Sequence, residues 1–290
     1  MAVRKFGRKF VYSFCSEERI KKIENSKLFK NPKKIEWIML ILFLIPGTPK
    51  DLLVYILSLI HISQVGNYAD VDGNGTVDGV IYADLAIGGS GQWTDSDGTY
   101  TIPKGSNFRE YTESGSYTAN GFGTKGVIKA TSTSGNERFY VMALSDVDSS
   151  THCWYNRAYG NMSDYASTTS GDFGTGEKNT QTMISKWNSS AYGAQTTTGS
   201  FPDMWGLSTV QSGTWNGSTG WYVPSRGEWT AFASQLGITK SNYTSFGLSL
   251  SYWSSSQSTT RGAWLAYFSI GYMNNGNVNT TYYVRLGTTY

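Results

Sequence analysis

The sequence changes character at about residue 57, and this break most constrains what the chain can fold into. Residues 1–34 contain 11 Lys or Arg and 3 Glu, a net charge of +8. Because the whole chain carries +3, the remaining residues sum to −5. Strongly apolar runs follow the basic stretch, whereas Gly, Ser, Thr and Asn predominate after residue 57. We therefore expect separate pieces rather than one continuous core.

The first piece, residues 1–56, has two short apolar arms. Trp37–Ile45 and Leu52–Ile56 flank Pro46, Gly47 and Pro49. Each arm is shorter than the roughly 20 residues that a membrane-spanning helix needs. The pattern favours a helical, apolar hairpin that enters a membrane as a broken helix, with a buried hairpin as the alternative.

The basic stretch and the motif from Ile45 to Leu52 resemble the SNARE-associated, DedA-like membrane protein family. That resemblance implies a polytopic membrane protein handling lipid or solute, of which only a fragment is present. Residues 57–63, Leu-Ser-Leu-Ile-His-Ile-Ser, resemble the translation of a transposon end used as a sequencing adaptor. We hypothesise a chimeric junction at 57–63. The alternative is a natural apolar helix end, and amplification across these codons from source DNA distinguishes the two.

Residues 64–137 are expected to form a small β-rich segment. Val80–Leu85 and Tyr100–Ile102 have strand composition and lie between Gly- and Ser-rich turns. The same holds for Gly126–Ala130, and for Phe139–Leu144 just beyond the segment.

A calcium-loop-like motif opens this segment. Asp70, Asp72, Asn74 and Asp78 occupy positions one, three, five and nine, with Gly75 at position six. Position twelve, which supplies a bidentate carboxylate in such loops, is Ile81. Calcium is the single cofactor the sequence suggests, and the alternative is a turn between strands.

Residues 138–290 contain two predicted helices. Met183, Ile184 and Trp187 share one helical face in Thr180–Asn188, with Asn179 as N-cap. Ser225 and Glu228 form a capping box that begins a second helix, which ends before Gly237.

A series of motifs in this region carries a second resemblance. They are Trp205-Gly206-Leu207, Gly220–Ser225, Tyr252–Ser256, Ala263-Trp264 and Tyr283–Leu286. In this order they resemble C-type-lectin-like domains of formylglycine-generating enzymes, the Fibrobacter major paralogous domain and variable proteins of diversity-generating retroelements. The resemblance implies an α+β fold with two helices and short twisted strands. It also implies a terminal block in which framework and variable positions alternate.

Matching the chain residue by residue to the variable proteins of diversity-generating retroelements implies a framework set and a variable set. The framework comprises Trp253, Ser254, Ala263, Trp264, Phe268, Gly271, Val278, Tyr283, Val284 and Arg285. The variable, ligand-binding set comprises Ser258, Thr259, Thr260, Arg261, Leu265, Tyr267, Ser269, Ile270, Asn274, Asn275, Asn277, Asn279, Thr280, Thr281 and Tyr282.

The chemistry of the variable set is that of an antibody paratope, in which Tyr supplies area and Ser, Asn and Thr supply adaptable hydrogen bonds. We expect Trp253, Trp264 and Phe268 in the core. Asn has poor strand propensity, so residues 274–279 are expected on an exposed loop.

The sequence favours a binding protein over an enzyme. His152 and Cys153 are adjacent, so as strand neighbours they point to opposite faces and make a poor base and nucleophile pair. Cys15 and Cys153 lie in unlike segments, and we expect no disulfide between them.

The predicted partner is a protein or glycan on a cell or virus surface. Nucleic acid is excluded by the acidic major part, and a membrane enters only through residues 1–56. The alternatives are an enzyme of the formylglycine-generating-like fold and a membrane transport fragment.

Overall fold

The computed structural model of the chain describes residues 63–119 and 121–290. The predictions for residues 1–56, for most of the 57–63 junction and for Cys15 lie outside the described residues. Gln64–Tyr290 form one compact unit. None of the helices in the described part of the chain combines the length and the apolar character that crossing a membrane requires.

The described residues are mostly sheet with few helices. The strands are β1 (Tyr68–Asp70), β2 (Gly79–Asp84), β3 (Gly89–Gly91), β4 (Tyr100–Ile102), β5 (Tyr111–Ala119), β6 (Gly123–Ala130), β7 (Phe139–Ala143), β8 (His152–Cys153), β9 (Thr214–Trp215), β10 (Ser218–Thr219), β11 (Ser251–Thr259), β12 (Gly262–Tyr267), β13 (Tyr272–Asn277), β14 (Thr281–Tyr282) and β15 (Gly287–Thr289). The α-helices are α1 (Tyr165–Thr168), α2 (Gly176–Asn188), α3 (Ser208–Ser212) and α4 (Arg226–Gln235).

The largest sheet has six strands in the order β15-β7-β2-β1-β6-β5. β1 pairs with β6 in parallel, and its other neighbour β2 runs antiparallel to it. β7 and β15 come from beyond residue 138: β7 pairs with β2, and β15 pairs with the other edge of β7. The sequence suggested a boundary between residues 137 and 138. The sheet contains strands from both sides of this position, because β2 pairs with β1 on one side and with β7 on the other.

The strands β1, β2 and β7 are covered on both faces, whereas the edge strand β5 is largely exposed. The strand period of two sorts the buried side chains between two cores. Along β7, Val141 packs into one core, and its neighbours Tyr140 and Met142 pack into the other. β2 and β7 are buried along their whole length, which explains why they read as apolar runs. The four predicted strands are confirmed, within a few residues at their ends.

Helix α4 begins where the sequence predicts. The Ser225 hydroxyl accepts from the Glu228 amide at 3.2 Å, and the Glu228 carboxylate accepts from the Ser225 amide at 2.6 Å. This is the predicted capping box. Trp229 and Phe232 from this helix enter the second core beside β2.

Helix α2 begins earlier than predicted, at Gly176, so Asn179 is not its N-cap. Asn179 lies inside the helix and is buried. Its side chain donates to the Ser170 carbonyl at 2.7 Å and accepts from the Ser170 amide at 3.0 Å. Asparagine here fixes an incoming loop rather than a helix end, a role that depends on tertiary contacts.

Candidate functional site

The block from Tyr252 to Tyr290 builds a three-stranded antiparallel sheet, β11-β12-β13, and then returns the chain to the large sheet through β15. Trp253 on β11 pairs with Leu265 on β12, and Trp264 pairs with Asn275 on β13. Residues directly opposite in such a pair project from the same face. The register therefore decides which side chains of the block share a surface.

The framework residues are mainly interior. Trp253 and Phe268 are 0% exposed, which confirms their prediction as core aromatics. Ser254, Ala263, Val278, Val284 and Arg285 are also buried, and Trp264 and Tyr283 are half-buried. The scaffold of the block is therefore set by packing on both sides of the small sheet.

The predicted ligand-binding residues have a different distribution. The exposed members are Thr259, Arg261, Asn275, Asn277, Asn279 and Thr280. The half-buried members are Ser258, Thr260, Tyr267, Ser269, Ile270, Asn274, Thr281 and Tyr282. Leu265 is the exception at 1% exposure, because it lies on the inner face of β12 with Trp253 and belongs to the core. It is not available to a ligand.

Asn274, Asn275 and Asn277 lie on strand β13, so the prediction of a loop over residues 274–279 is wrong for them. Pairing with β12 supplies the backbone hydrogen bonds and overrides the weak strand propensity of Asn. Asn275 and Asn277 nevertheless present their side chains to solvent. Asn279 lies in the turn after β13, as expected.

Four of the exposed members and the half-buried Ser258 lie at the β11–β12 hairpin and on β13. The Ser258 hydroxyl lies 2.9 Å from the Asn275 Oδ1 atom. Gly262 lies beneath them, and a Cβ at this position would fall 2.2 Å from Asn275 Oδ1. A side chain at this position would displace the Asn275 amide and the Ser258 hydroxyl from this arrangement. We call Ser258, Thr259, Arg261, Asn275 and Asn277 the hairpin surface.

Tyr159 is an addition to this surface that the sequence did not indicate. The Arg261 guanidinium lies 5.3 Å from the centre of the Tyr159 ring, within the range of a cation–π contact. Tyr159 is 46% exposed, so its ring is accessible to solvent beside Arg261. Its position follows a 3-10 turn, Asn156–Ala158, more than 100 residues before the hairpin, so no local sequence signal connects the two.

A polar cleft of about 460 Å³ adjoins the small sheet at Trp264. Trp264 is half-buried rather than a full core residue, because its indole face lies against the Arg226 guanidinium at 3.9 Å. Burial lowers the pKa of Arg226, and Asp97 partly opposes this shift. Gly98, Tyr100, Asp172 and Thr230 line the cleft together with Arg226 and Trp264, among other residues. Arg226 is the first residue of helix α4, and no signal in the sequence indicated its place in the cleft.

The calcium-loop-like residues lie between β1 and β2. Asp70, Asp72 and Asp78 each bring one carboxylate oxygen within 4.8 Å of the others. The Asn74 Oδ1 atom accepts from the Thr76 amide at 2.6 Å, and its side-chain amide donates to Asp72 Oδ2 at 2.8 Å. Ile81 is buried in β2. Burial, with Asp72 and Asp70 close by, raises the pKa of Asp78 to about 6.

Cys153 and His152 lie on the short strand β8 and are both buried. The Cys153 thiol is free and donates to the Asn279 carbonyl at 3.3 Å. Burial, reinforced by Asp203, raises the pKa of this thiol to about 12. The nearest partner of His152 is Asp148, whose carboxylate oxygens lie 3.0 Å from Nε2. A neutral, enclosed thiol is a poor nucleophile at neutral pH.

No protein-family model matches the chain, and no curated protein sequence does. Among solved structures, a fimbrial protein from Bacteroides ovatus is similar, at 19% identity and a TM-score of 0.35. The match covers 53% of this chain and 36% of that one, so the chain spans only part of the length of that protein. A likeness of this extent carries no argument about function.

Proposed function

We propose that this protein is a ligand-display module that binds through the hairpin surface and serves attachment or recognition at a surface. In this proposal residues 138–290 are C-type-lectin-like and belong with the retroelement-diversified variable proteins. The partner is a protein or a glycan, no nucleic acid is bound, and the module performs no catalysis.

The partition of burial within one short block is the observation that carries the proposal. Framework positions such as Trp253 and Val278 are fully buried, whereas Arg261, Asn275 and Asn277 are exposed. Substitutions at exposed positions away from special features usually change stability little, whereas buried positions tolerate few. A sheet with this partition can change its contacts without changing its fold.

The chemistry of the hairpin surface favours recognition by hydrogen bonds over strong charge attraction. Ser258, Thr259 and Asn275 offer neutral donors and acceptors, and Arg261 is the single formal charge of the surface. Tyr159 adds an exposed aromatic face. Neutral hydroxyl and amide groups with an aromatic ring suit both glycans and polar protein epitopes.

Replacement of the exposed residues tests the proposal. The full chain, labelled with a fluorophore, is applied to glycan arrays and to panels of bacterial cells. A variant with Thr259, Arg261, Asn275 and Asn277 replaced by Ala is expected to lose the binding seen for the unmodified chain. Its melting temperature should stay within a few degrees, since surface substitutions cost about 0.5 kcal/mol or less each.

Leu265→Ala is the matched contrast from the same block. We expect it to destabilise the fold by about 2–5 kcal/mol because it removes buried side-chain volume. Loss of folding in the four-residue variant, or unchanged binding by it, would contradict the proposal. A neighbouring reverse transcriptase gene with a near-copy of the final block, differing at adenines, would support the retroelement assignment independently.

The variant Cys153→Ala distinguishes the enzyme alternative from the proposal of a binding module. The enclosed thiol, with its raised pKa, supports the proposal of binding without catalysis. A turnover that is abolished in Cys153→Ala would contradict it. Fractionation of cells distinguishes the remaining alternative, a membrane transport fragment.

A further inference from the structure

Two buried carboxylate oxygens in the β1–β2 loop have no hydrogen-bond partner among the described residues. They are Oδ1 of Asp70 and Oδ1 of Asp78, and the side chain of Asn216 also approaches the Asp78 carboxyl group. Both residues are 1% exposed, so water does not reach these atoms freely. A buried polar atom that lacks a hydrogen-bond partner lowers the stability of the folded state, so these two oxygen atoms require an explanation.

The loop holds the other oxygen of each carboxylate in place. Asp70 Oδ2 accepts from the Gly75 amide at 3.0 Å, and Asp78 Oδ2 accepts from the Val71 amide at 2.8 Å. These bonds fix the orientation of both carboxylates. The backbone therefore holds in place the two carboxylates that carry the unpartnered oxygens, as a binding site requires.

Asp72 brings a third carboxylate to the same point, within 4.8 Å of the other two. Among the described residues, Lys129 is a cation that lies near them. Lys129 Nζ is 4.0 Å from Asp70 Oδ2 and donates to the Gly73 carbonyl at 2.6 Å. One ammonium group at that distance leaves most of the repulsion among three clustered carboxylates unbalanced.

We propose that Asp70, Asp72 and Asp78 bind a calcium ion. Calcium accepts carboxylate and carbonyl oxygens in a flexible shell of six to eight ligands, which an irregular loop can supply with water completing it. Magnesium demands near-ideal octahedral geometry and gives up its water reluctantly, so it suits this loop less. The site differs from an EF-hand loop, since buried Ile81 stands at position twelve and Asn74 closes the turn.

The place of this site in the fold indicates a structural role. Asp70 ends β1 and Asp78 directly precedes β2, two adjacent strands in the middle of the six-stranded sheet. A bound ion would join the two ends of this connection and oppose their separation. Its effect should therefore appear in the stability of the folded chain and not in the hairpin surface.

Thermal melting and titration calorimetry on the full chain test the site, after treatment with EDTA and dialysis. With CaCl₂ at about one hundred times the dissociation constant, the melting temperature should rise by roughly 5–10 °C. Calorimetry should show heat for one ion per chain. Asp70→Asn and Asp78→Asn should lose the rise, and Asp95→Asn, an exposed Asp outside the cluster, should keep it.

Asp72→Asn provides a variant that does not disturb a buried position. It should fold and bind calcium roughly tenfold more weakly, equivalent to about 1.4 kcal/mol. Absence of both heat and a melting shift up to about 10 mM CaCl₂ would overturn the proposal, since even weak extracellular sites bind below this range. An equal shift in Asp72→Asn would also overturn it, and an equal response to MgCl₂ would overturn the assignment to calcium.

Discussion

Arg261 and Arg285 are the two charged residues of the Tyr252–Tyr290 block, and they lie in opposite surroundings. Arg285 is 1% exposed, and its Nε donates to Asp146 Oδ1 at 2.8 Å. It also donates from Nη2 to the Gly247 carbonyl at 2.9 Å. Arg261 is exposed at the hairpin tip, and its guanidinium lies 5.3 Å from the centre of the Tyr159 ring.

The difference between these two regions shows how one short block serves as both scaffold and surface. The Arg285 side chain is enclosed and needs specific partners. The Arg261 side chain, at the hairpin tip, is solvated and can be replaced at little cost. Depth below the surface, and not residue type, separates the two roles.

The largest expected effect is that of Arg285→Ala. Its removal leaves the Asp146 carboxylate without its ion-pair partner, and we expect a loss of about 3–5 kcal/mol in the free energy of unfolding. Urea denaturation measures it. In the double variant with Asp146→Ala the cost should be smaller than the sum of the single costs. Additive costs would show that the two side chains do not act as a pair.

A second buried group, Glu228, should make stability depend on pH. Burial raises its pKa to about 7 in the folded chain, from an ordinary value of 4.5. The folded state therefore holds the proton more tightly than the unfolded state. The resulting stability is present below pH 4.5 and is lost as the pH rises towards 7.

For Glu228 this difference amounts to at most about 3 kcal/mol. Glu228→Gln, which keeps an acceptor for the Ser225 amide, should flatten that part of the pH profile of urea unfolding. Glu177→Gln, at an exposed position on α2, serves as control and should leave the profile unchanged. If both variants retain the profile of the unmodified chain, another group is responsible for it.

The smallest expected effect is that of Arg261→Ala, whose cost should be about 0.5 kcal/mol or less. The contact with Tyr159 is exposed to solvent, where such pairs contribute little. Thermal melting of this variant beside Arg285→Ala compares the two regions directly. A cost similar to that of Arg285→Ala would mean that the hairpin tip is part of the scaffold.

Local sequence signals were sufficient for several elements of the fold. The capping box at Ser225 and Glu228 acts over four residues, so its effect does not depend on distant parts of the chain. The strands β2 and β7 were readable because their buried faces demand apolar runs. Trp253 and Phe268 were predicted to be buried because their side chains are large and aromatic.

Other features depended on contacts between distant residues. Asn274, Asn275 and Asn277 form a strand because β12 pairs with them, and Leu265 turns inward because the register puts it beside Trp253. Tyr159 and Arg226 reach the site through folding and have no local signature there. The sequence by itself determined which residue types are available to the block, where helix α4 begins and where β2 and β7 lie. Only the tertiary structure decided which of them face solvent, because exposure depends on strand register and on packing between segments far apart in the chain.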